Sequence, residues 1–256
     1  MNLGFPALGA ALSALLMSAA AMKWALPKRQ AFTGIAVTAT LTALPFVWVY
    51  HLAGSGLGLA AIVFGQVVLT TAIALFLILR RFWRDPERVP PETDGVVLSA
   101  ADGEVAYVWH LAEDTATAVR KGERDYRLDE LTGTKLAAGA VHVIGVSMSL
   151  LDVHVNRCPI PGQVKLIKHI PGKFMSLRRD EAPFVNERAT TVIEGSSLTV
   201  GVVQIASRLV RCVQTYLKVD QTVNAGQRLG MIRFGSLVAV IIPNREDVKI
   251  EVTPGD

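Results

Sequence analysis

Residues 230–243 read Gly-Met-Ile-Arg-Phe-Gly-Ser-Leu-Val-Ala-Val-Ile-Ile-Pro, and this stretch decides the architecture of the C-terminal two thirds of the chain. Two apolar runs of β type lie on either side of a Phe-Gly-Ser interruption. A Gly-Ser pair in such a place is usually a turn or a bulge, because glycine accepts backbone conformations that other residues avoid. The pair also has a chemical interpretation. The hydroxyl of Ser236 can attack the carbonyl of Gly235 and shift the peptide bond to an ester.

Short runs of the same kind fill most of the chain from Asp94 onward, and Gly, Pro and Asn separate them. Strands are predicted at residues 95–99, 104–109, 140–147, 163–170, 188–194, 197–206, 213–216, 228–232 and 237–243. Long helical periodicity is scarce after residue 85. The pattern predicts a mostly β soluble domain over residues 94–256, arranged as a two-sheet sandwich or in a barrel-like form.

The N-terminal third has a different character. Residues 30–79 contain no Lys, Arg, Asp or Glu, and these fifty residues exceed the about 20 that one membrane-spanning helix needs. We therefore predict a transmembrane α-helical hairpin with spans near 31–50 and 57–79, joined by a turn at 51–56. The Ala-rich apolar stretch 3–22 either spans the membrane or lies in its interface as a helix. Residues 1–79 are thus predicted to be membrane-anchoring helices.

Basic residues flank this hairpin and are missing from the turn within it. They are Lys23, Lys28 and Arg29 before it and Arg80, Arg81 and Arg84 after it. By the positive-inside rule, both flanks lie on the cytoplasmic side. The sequence therefore predicts a protein of the cell (inner) membrane. A basic juxtamembrane linker, 80–93, leads into a domain on the cytoplasmic side.

Composition excludes several classes of protein. A hydrophobic fraction of 51% is too high for a disordered chain. Two cysteines, Cys158 and Cys212, are too few for a disulfide scaffold, and His142 and His169 lack a second ligand at useful spacing, so no metal site is predicted. Residues 1–79 hold three of the 26 bases and none of the 22 acids. Since the remainder is nearly neutral, the basic balance does not indicate a nucleic-acid partner.

Six short motifs stand in order along the chain. They are Phe82-Trp-Arg-Asp-Pro-Glu-Arg88, Ser99-Ala-Ala-Asp-Gly103, Asp152-Val-His-Val-Asn-Arg-Cys-Pro159, Pro171-Gly-Lys-Phe174, Asn186-Glu-Arg188 and Phe234-Gly-Ser236. Together they resemble phosphatidylserine decarboxylases of the short bacterial and archaeal type. Each motif alone is weak, but six in the family's order make a strong signal, and the hydrophobic hairpin also fits this family.

The resemblance implies an enzyme that makes its own cofactor. The ester formed at Ser236 would undergo elimination and break the chain between Gly235 and Ser236. The products would be a large chain, 1–235, and a small chain, 236–256, that begins with a covalent pyruvoyl group made from Ser236. Such a group supplies the electrophilic carbonyl that carbanion chemistry needs and that no ordinary side chain provides.

The implied reaction is the decarboxylation of phosphatidylserine to phosphatidylethanolamine. The pyruvoyl ketone would form an imine with the serine amine of the lipid and accept the electrons released with carbon dioxide. The implied partners are phosphatidylserine in the membrane and the two chains of one precursor, which form a heterodimer. The sequence leaves a higher oligomer open.

The resemblance also assigns roles to two further residues. His154 suits proton exchange with the substrate carbanion, because an imidazole titrates near neutral pH. Asp102, in an Ala-Asp-Gly turn, is expected to orient the base or to aid the attack of Ser236. Longer relatives carry a second His where this chain has Arg157. The group that activates Ser236 is therefore open at this point, and His154 is a candidate for both steps.

Several basic residues of the β domain have two interpretations, contact with lipid phosphate or plain solvated surface. They are Arg157, Lys173, Arg178, Arg179 and Arg188. The solvated interpretation is favoured for all but Arg188, which lies in the Asn-Glu-Arg motif and for which the two interpretations are balanced.

Two rival functions remain open. Residues 219–230 also resemble the hairpin of biotinyl and lipoyl carrier modules, which allows a membrane-anchored carrier or adaptor. That interpretation requires a modifiable Lys at an exposed hairpin tip, and no Met-Lys-Met or Asp-Lys-Ala lies nearby. The second rival keeps the pyruvoyl chemistry but acts on an archaeal-type phosphoserine ether lipid, whose reacting serine is the same.

Overall fold

The computed structural model describes most of the chain as two compact units. The described residues are 4–23, 28–53, 59–91, 95–111, 119–121, 124–134, 136, 139–177, 179–207, 212–233 and 236–256. One unit comprises the N-terminal helices up to Trp83 together with Ser149–Leu151. The other comprises Arg84–Met148 and Asp152–Asp256.

The first unit is helical. Its helices are α1 (Gly4–Lys23), α2 (Lys28–Ala53) and α3 (Leu59–Phe82). Both predicted spans are helical, and α2 and α3 contain segments long and apolar enough to cross a membrane, Ala31–Val49 and Ala61–Phe82. The stretch 3–22 is also helical in its described part, where it forms α1. The predicted turn at 51–56 begins inside α2, and residues 54–58 lie outside the described residues.

The helical unit carries small and polar side chains inside and apolar side chains outside. Thr42 of α2 and Thr70 of α3 are buried, and their hydroxyl oxygens share a hydrogen bond of 2.7 Å. Gly9 of α1 lies so close to Gln66 of α3 that a Cβ atom there would be 2.3 Å from the amide oxygen. Large apolar side chains such as Phe64 are exposed. This distribution is typical of helices that pack together inside lipid.

The second unit is mostly antiparallel sheet, as predicted. Its strands are β1 (Glu104–Leu111), β2 (Val119–Lys121), β3 (Arg124–Tyr126), β4 (Val141–Met148), β5 (Val155–Arg157), β6 (Gly162–Ile170), β7 (Arg188–Glu194), β8 (Thr199–Ala206), β9 (Val213–Thr215), β10 (Thr222–Val223), β11 (Arg228–Ile232) and β12 (Ser236–Pro243). Two short helices, α4 (Leu128–Thr132) and α5 (Ala182–Val185), accompany them.

One predicted strand, 95–99, is wrong. Gly95 has a φ of 78°, a left-handed conformation that turns the chain instead of extending it. Leu98 donates its backbone N–H to the carbonyl of Pro159 at 2.9 Å, yet the segment joins no ladder. The apolar side chain of Val97 packs on the core from this irregular segment. The other predicted strands are confirmed within three residues at each end.

The strands form a seven-stranded sheet in the order β1-β4-β12-β8-β7-β6-β10, a three-stranded sheet in the order β5-β11-β9, and the hairpin β2-β3. Strand β12 lies inside the large sheet between β4 and β8, and it is antiparallel to both. Its even-numbered side chains, such as Val238, pack in a core shared with Leu229 and Ile232 of β11. Its odd-numbered side chains, such as Leu237, pack on the opposite face with Leu131. Burial on both faces explains why β12 is continuously apolar.

Candidate active site

Ser236 is the first residue of β12 and is 1% exposed. Its backbone lies opposite Met148 of β4 and Ala206 of β8. Its hydroxyl donates to the Met148 sulfur, with an Oγ–Sδ distance of 3.2 Å. The adjacent Phe234 and Gly235 lie outside the described residues. The cleavage predicted between Gly235 and Ser236 therefore stays a prediction, set at the buried end of an internal strand.

Two buried amide side chains, Asn156 of β5 and Gln204 of β8, are connected to this serine through Met148, and we call them the amide pair. Gln204 Nε2 donates to Asn156 Oδ1 at 2.7 Å. Asn156 Nδ2 in turn lies 3.7 Å from the Met148 sulfur that accepts from Ser236. The amide pair therefore links the three-stranded sheet to the strand neighbours of Ser236.

Sequence reasoning missed the amide pair, although a signal existed. Gln204 stands alone in the otherwise apolar run Val202-Val-Gln-Ile-Ala206, and a buried polar side chain in such a run requires a partner. The partner lies 48 residues away along the chain, so no local pattern identifies it.

His154 is fully buried just before β5. Its Nδ1 lies 2.9 Å from the backbone carbonyl oxygen of Asp152. Because a carbonyl only accepts, Nδ1 carries the hydrogen, and Nε2 of the neutral ring is then the proton acceptor. Burial lowers the pKa of His154, while the hydrogen bond to Asp152 opposes this shift. His154 precedes Asn156 by two residues, and β5 begins between them at Val155.

Asp102 occupies the predicted turn, but its carboxylate contacts a different group. Within the described residues, its ion pair is with Arg88, at 2.5 Å between Nη2 and Oδ2. The turn is tied to β5 by a backbone hydrogen bond of 2.8 Å from Arg157 N to Ala100 O. The structure thus brings the turn beside the strand that follows His154. The role of the Asp102 carboxylate stays a prediction.

Arg157 is not solvated surface, so that interpretation was wrong. The residue is 9% exposed, and its guanidinium donates to the Asp85 carboxylate at 2.6 Å, to Pro86 O at 2.8 Å and to Gly226 O at 3.2 Å. Arg228 pairs with the other oxygen of Asp85 at 2.5 Å. A guanidinium has five N–H donors and no acceptor, so Arg157 does not substitute for a second histidine as a base. It fastens the Arg-Asp-Pro-Glu-Arg segment to the β domain.

Arg188 is also buried and structural. Its guanidinium donates to three backbone carbonyls, those of Leu131 at 2.8 Å, Asn186 at 2.9 Å and Glu130 at 2.5 Å. Burial lowers its pKa, and the charge of Glu130 opposes the shift. Two of these carbonyls belong to α4, so Arg188 holds that short helix. Lys173 and Arg179 are exposed as predicted, and Arg178 lies outside the described residues.

The Asn-Glu-Arg and Pro-Gly-Lys-Phe motifs meet through Asn186. Its Oδ1 accepts from Met175 N at 2.8 Å, and its Nδ2 donates to Met175 O and Ala206 O, both at 2.9 Å. Ala206 is the residue of β8 that lies opposite Ser236. The two motifs therefore fix the end of the strand against which the candidate nucleophile is placed.

Other reactive side chains lie elsewhere. Cys158 is buried and free, and burial raises the pKa of its thiol to about 12, which makes it inert at neutral pH. His110 and His142 contact each other with their Nδ1 atoms 2.6 Å apart. In the part of the chain that the structure describes, no group of three or more His, Cys, Asp or Glu side chains is arranged to hold a metal ion.

Comparison with known proteins identifies relatives of the C-terminal two thirds. The family model described as phosphatidylserine decarboxylase matches residues 75–256. A protein of Methanocaldococcus jannaschii named "Putative archaetidylserine decarboxylase proenzyme" is 38% identical over 179 residues, covering 70% of this chain and 85% of that protein.

Two bacterial relatives are named phosphatidylserine decarboxylase proenzyme. The protein of Azorhizobium caulinodans is 33% identical over 199 residues, which cover 78% of this chain and 76% of the relative. The protein of Zymomonas mobilis is 36% identical over 163 residues, which cover 63% of this chain and 61% of the relative.

Proposed function

The chain belongs to the phosphatidylserine decarboxylase family, and we propose that it decarboxylates phosphatidylserine to phosphatidylethanolamine by means of a pyruvoyl group formed from Ser236. Its family makes it a carboxy-lyase. The observation that carries the proposal is the position of Ser236. A buried serine begins an internal strand and donates to the sulfur of Met148. The same sulfur accepts from the buried Asn156, which follows the buried His154 by two residues.

The residues present fit a pyruvoyl group. Such a group would keep the carbon atoms of Ser236, leave Oγ on the Gly235 carboxylate and exchange the nitrogen, released as ammonia, for a ketone oxygen from water. It would therefore take up no more room than the serine. The surroundings are closed to solvent, as an electrophilic carbonyl requires, and Gln204 Oε1 lies buried there without a hydrogen-bond partner among the described residues. When present, the group supplies an electron sink for the carbanion left after loss of carbon dioxide.

Two side chains of this protein would move protons. The Ser236 hydroxyl is the nucleophile toward the Gly235 carbonyl, and its neighbour Met148 offers only a weakly accepting sulfur that cannot take the proton. We assign that proton to His154, whose neutral ring has Nδ1 held by the Asp152 carbonyl and Nε2 as the acceptor. The lowered pKa keeps this imidazole neutral, and so ready to accept a proton, at neutral pH. The same group would later exchange a proton with the substrate carbon.

The helical unit fits a role as membrane anchor. We propose that residues 1–79 hold the protein in the cell membrane, that 80–93 form the linker, and that the domain 94–256 lies on the cytoplasmic side. The exposed apolar surface of α2 and α3 supports insertion, and the flanking bases support the orientation. Tethering raises the local concentration of a lipid substrate without any added contact to its head group.

The proposed cut would give chains 1–235 and 236–256 that stay together as a heterodimer. Support comes from the ladders of β12, which pairs with β4 from Ser236 to Pro243 and with β8 from Ser236 to Ile241. The backbone hydrogen bonds made from Leu237 onward do not involve the peptide bond that would be cut.

The intact mass of the purified protein tests this proposal. We expect two chains, the smaller of 21 residues without a free amino terminus. Ser236→Ala lacks the nucleophile and should give one uncut, inactive chain. Ser147→Ala, which alters an exposed serine on the neighbouring strand β4, is the matched control and should be cut like the wild type. A cut and active Ser236→Ala protein would refute the proposal.

A second substrate is favoured by one finding. The relative from M. jannaschii, named for archaetidylserine, is matched over 85% of its length. An ether lipid with a phosphoserine head group presents the same reacting amine and carboxylate. Product analysis by mass spectrometry, with equal amounts of both lipids supplied, distinguishes the two. Family membership covers the hairpin at 219–230 as part of the decarboxylase, so we do not propose the carrier function.

A further inference from the structure

The side-chain oxygen of Gln204 is an unused hydrogen-bond acceptor in a site that is closed to solvent. The side chain is fully buried in β8. Its Nε2 donates to Asn156 Oδ1, but its Oε1 accepts no hydrogen bond from any described residue. A buried acceptor without a donor costs free energy, and native proteins retain few of them. A donor from outside the described residues would satisfy this acceptor.

Gln204 faces the residue that would become the cofactor. In the pairing of β8 with β12, Gln204 lies opposite Val238, and Ala206 lies opposite Ser236. Alternate residues of a strand share a face, so Gln204 and Ser236 lie on the same face as diagonal neighbours. Diagonal neighbours in an antiparallel pair are about 7 Å apart, within reach of a long side chain.

The amide is held rigidly. The bond to Asn156 fixes the Nε2 end, so Oε1 is the end left for another group. Gly230 of β11 brings the backbone close over the amide. A Cβ atom at Gly230 would be 3.1 Å from Nε2, 3.2 Å from Oε1 and only 2.4 Å from the carbonyl oxygen of Gln214. Glycine is therefore the residue that allows this approach, and the amide has little freedom to turn.

We propose that Gln204 Oε1 accepts a hydrogen bond from the amino group of the serine head group and so directs that group to residue 236. This inference rests on the proposed function. A phosphoserine head group carries a phosphate, a carboxylate and an ammonium. At neutral pH only the ammonium can donate to a carbonyl-type oxygen. The unused acceptor thus selects the amino end of the substrate, which is the end that must reach residue 236.

The test measures binding and does not depend on turnover. Full-length protein in detergent micelles is titrated by calorimetry with dioctanoyl phosphatidylethanolamine and with dioctanoyl phosphatidylethanol, which differs by lacking the amino group. The wild type is expected to prefer the amine lipid by about tenfold or more, as a hydrogen bond to a charged donor implies. Gln204→Leu should lose this preference and keep its affinity for phosphatidylethanol.

Two further variants make the result decisive. Thr191→Val is the matched control. Its hydroxyl is likewise buried without a partner among the described residues, on β7, one strand farther from Ser236, and the preference should be unchanged. Gln204→Glu keeps an acceptor and adds charge, so it should strengthen the preference for the amine lipid. If Gln204→Leu does not fold, the result for Gln204→Glu tests the role of Gln204 in its place.

The role of Gln204 is overturned if the wild type shows no preference for the amine lipid, or if Gln204→Leu keeps that preference. Where the leucine variant fails to fold, the role is overturned if Gln204→Glu leaves the ratio of the two lipid affinities unchanged. A denaturing gel on the same samples separates this from the proposed function. A wild-type chain that stays uncut contradicts self-processing. A cut Gln204→Leu protein with wild-type preference contradicts only the role of Gln204.

Discussion

Arg157 donates to the Asp85 carboxylate at 2.6 Å, across 72 residues of sequence. The contact joins β5, which follows His154, to the segment that follows α3. A charged contact here stabilises the strand that follows His154.

Removing Arg157 should therefore reduce stability. Arg157→Ala leaves Asp85 without this partner and Gly226 O without a donor, and we expect the free energy of unfolding to fall by about 2 kcal/mol. Thermal denaturation of the full-length protein in detergent measures the change. Arg179→Ala, which removes an exposed arginine with a 3.6 Å ion pair, should change it by less than about 0.5 kcal/mol. An equal fall in the free energy of unfolding of both variants would show that the buried contact stabilises the protein no more than the exposed ion pair does.

His154→Ala should slow decarboxylation by about 10²–10⁴-fold, the usual contribution of a positioned acid–base group. A gel of the variant separates the two roles proposed for this imidazole. Complete cleavage with low activity assigns it to decarboxylation alone. An uncut chain assigns it to the cleavage step, because decarboxylation cannot occur without the pyruvoyl group. His169→Ala, at an exposed histidine that contacts Glu187, is the control and should be cut and active. A cut and fully active His154→Ala protein would contradict the assignment.

The stability of the protein should depend on pH through His154. Burial lowers its pKa in the folded protein, so below the ordinary value of about 6.5 the unfolded chain binds a proton that the folded chain does not. The free energy of unfolding is therefore expected to fall as the pH drops below about 6.5, by at most about 1.4 kcal/mol per pH unit for this one group.

His154→Gln should flatten that dependence, because the glutamine does not titrate. The midpoint of thermal unfolding, measured between pH 5 and pH 8 for both proteins, checks it. A variant whose midpoint falls as steeply as that of the wild type would show that other groups set the acid limit.

Deletion of residues 1–79 should spare self-cleavage, because the strands around Ser236 all lie in the β domain. The deletion should lower turnover on phosphatidylserine in vesicles far more than turnover on short-chain lipid dispersed in detergent. Product formation on both substrates, compared with the full-length protein, measures the effect. Equal activity on vesicles would refute the role of the helices as a tether. A truncated chain that stays uncut would show that the helices help the domain to fold.

The sequence predicted those parts of the fold that repeat locally. Strand β12 and its neighbours are long apolar runs, and a charge-free stretch marks α2 and α3, so their place and type followed from pattern alone. The segment 95–99 is also a short apolar run, but Gly95 turns the chain there and the segment forms no ladder. Composition indicates that a segment is apolar and does not tell whether a neighbouring strand is available.

Contacts between distant residues could not be predicted in the same way. Ser236 and His154 were proposed as site residues from motifs. The Asn156–Gln204 bond and the burial of Arg157 depend instead on segments that are distant in the sequence. The sequence alone does not distinguish a buried arginine from an exposed one. The Asn156–Gln204 bond spans 48 residues and the Arg157–Asp85 bond spans 72, so no local pattern indicates either contact.

The position of β12 inside the large sheet determines when the surroundings of Ser236 can form during folding. Ser236 acquires its surroundings only when β4 and β8 have both been laid beside it, and those strands are separated from it by 88 and 30 residues at the paired positions Met148 and Ala206. In a chain that cuts itself before Ser236, maturation must therefore follow completion of the sheet. Under the proposed self-cleavage, a molecule that misassembles would stay uncut and inactive, and a cut chain would mark a molecule that had folded correctly.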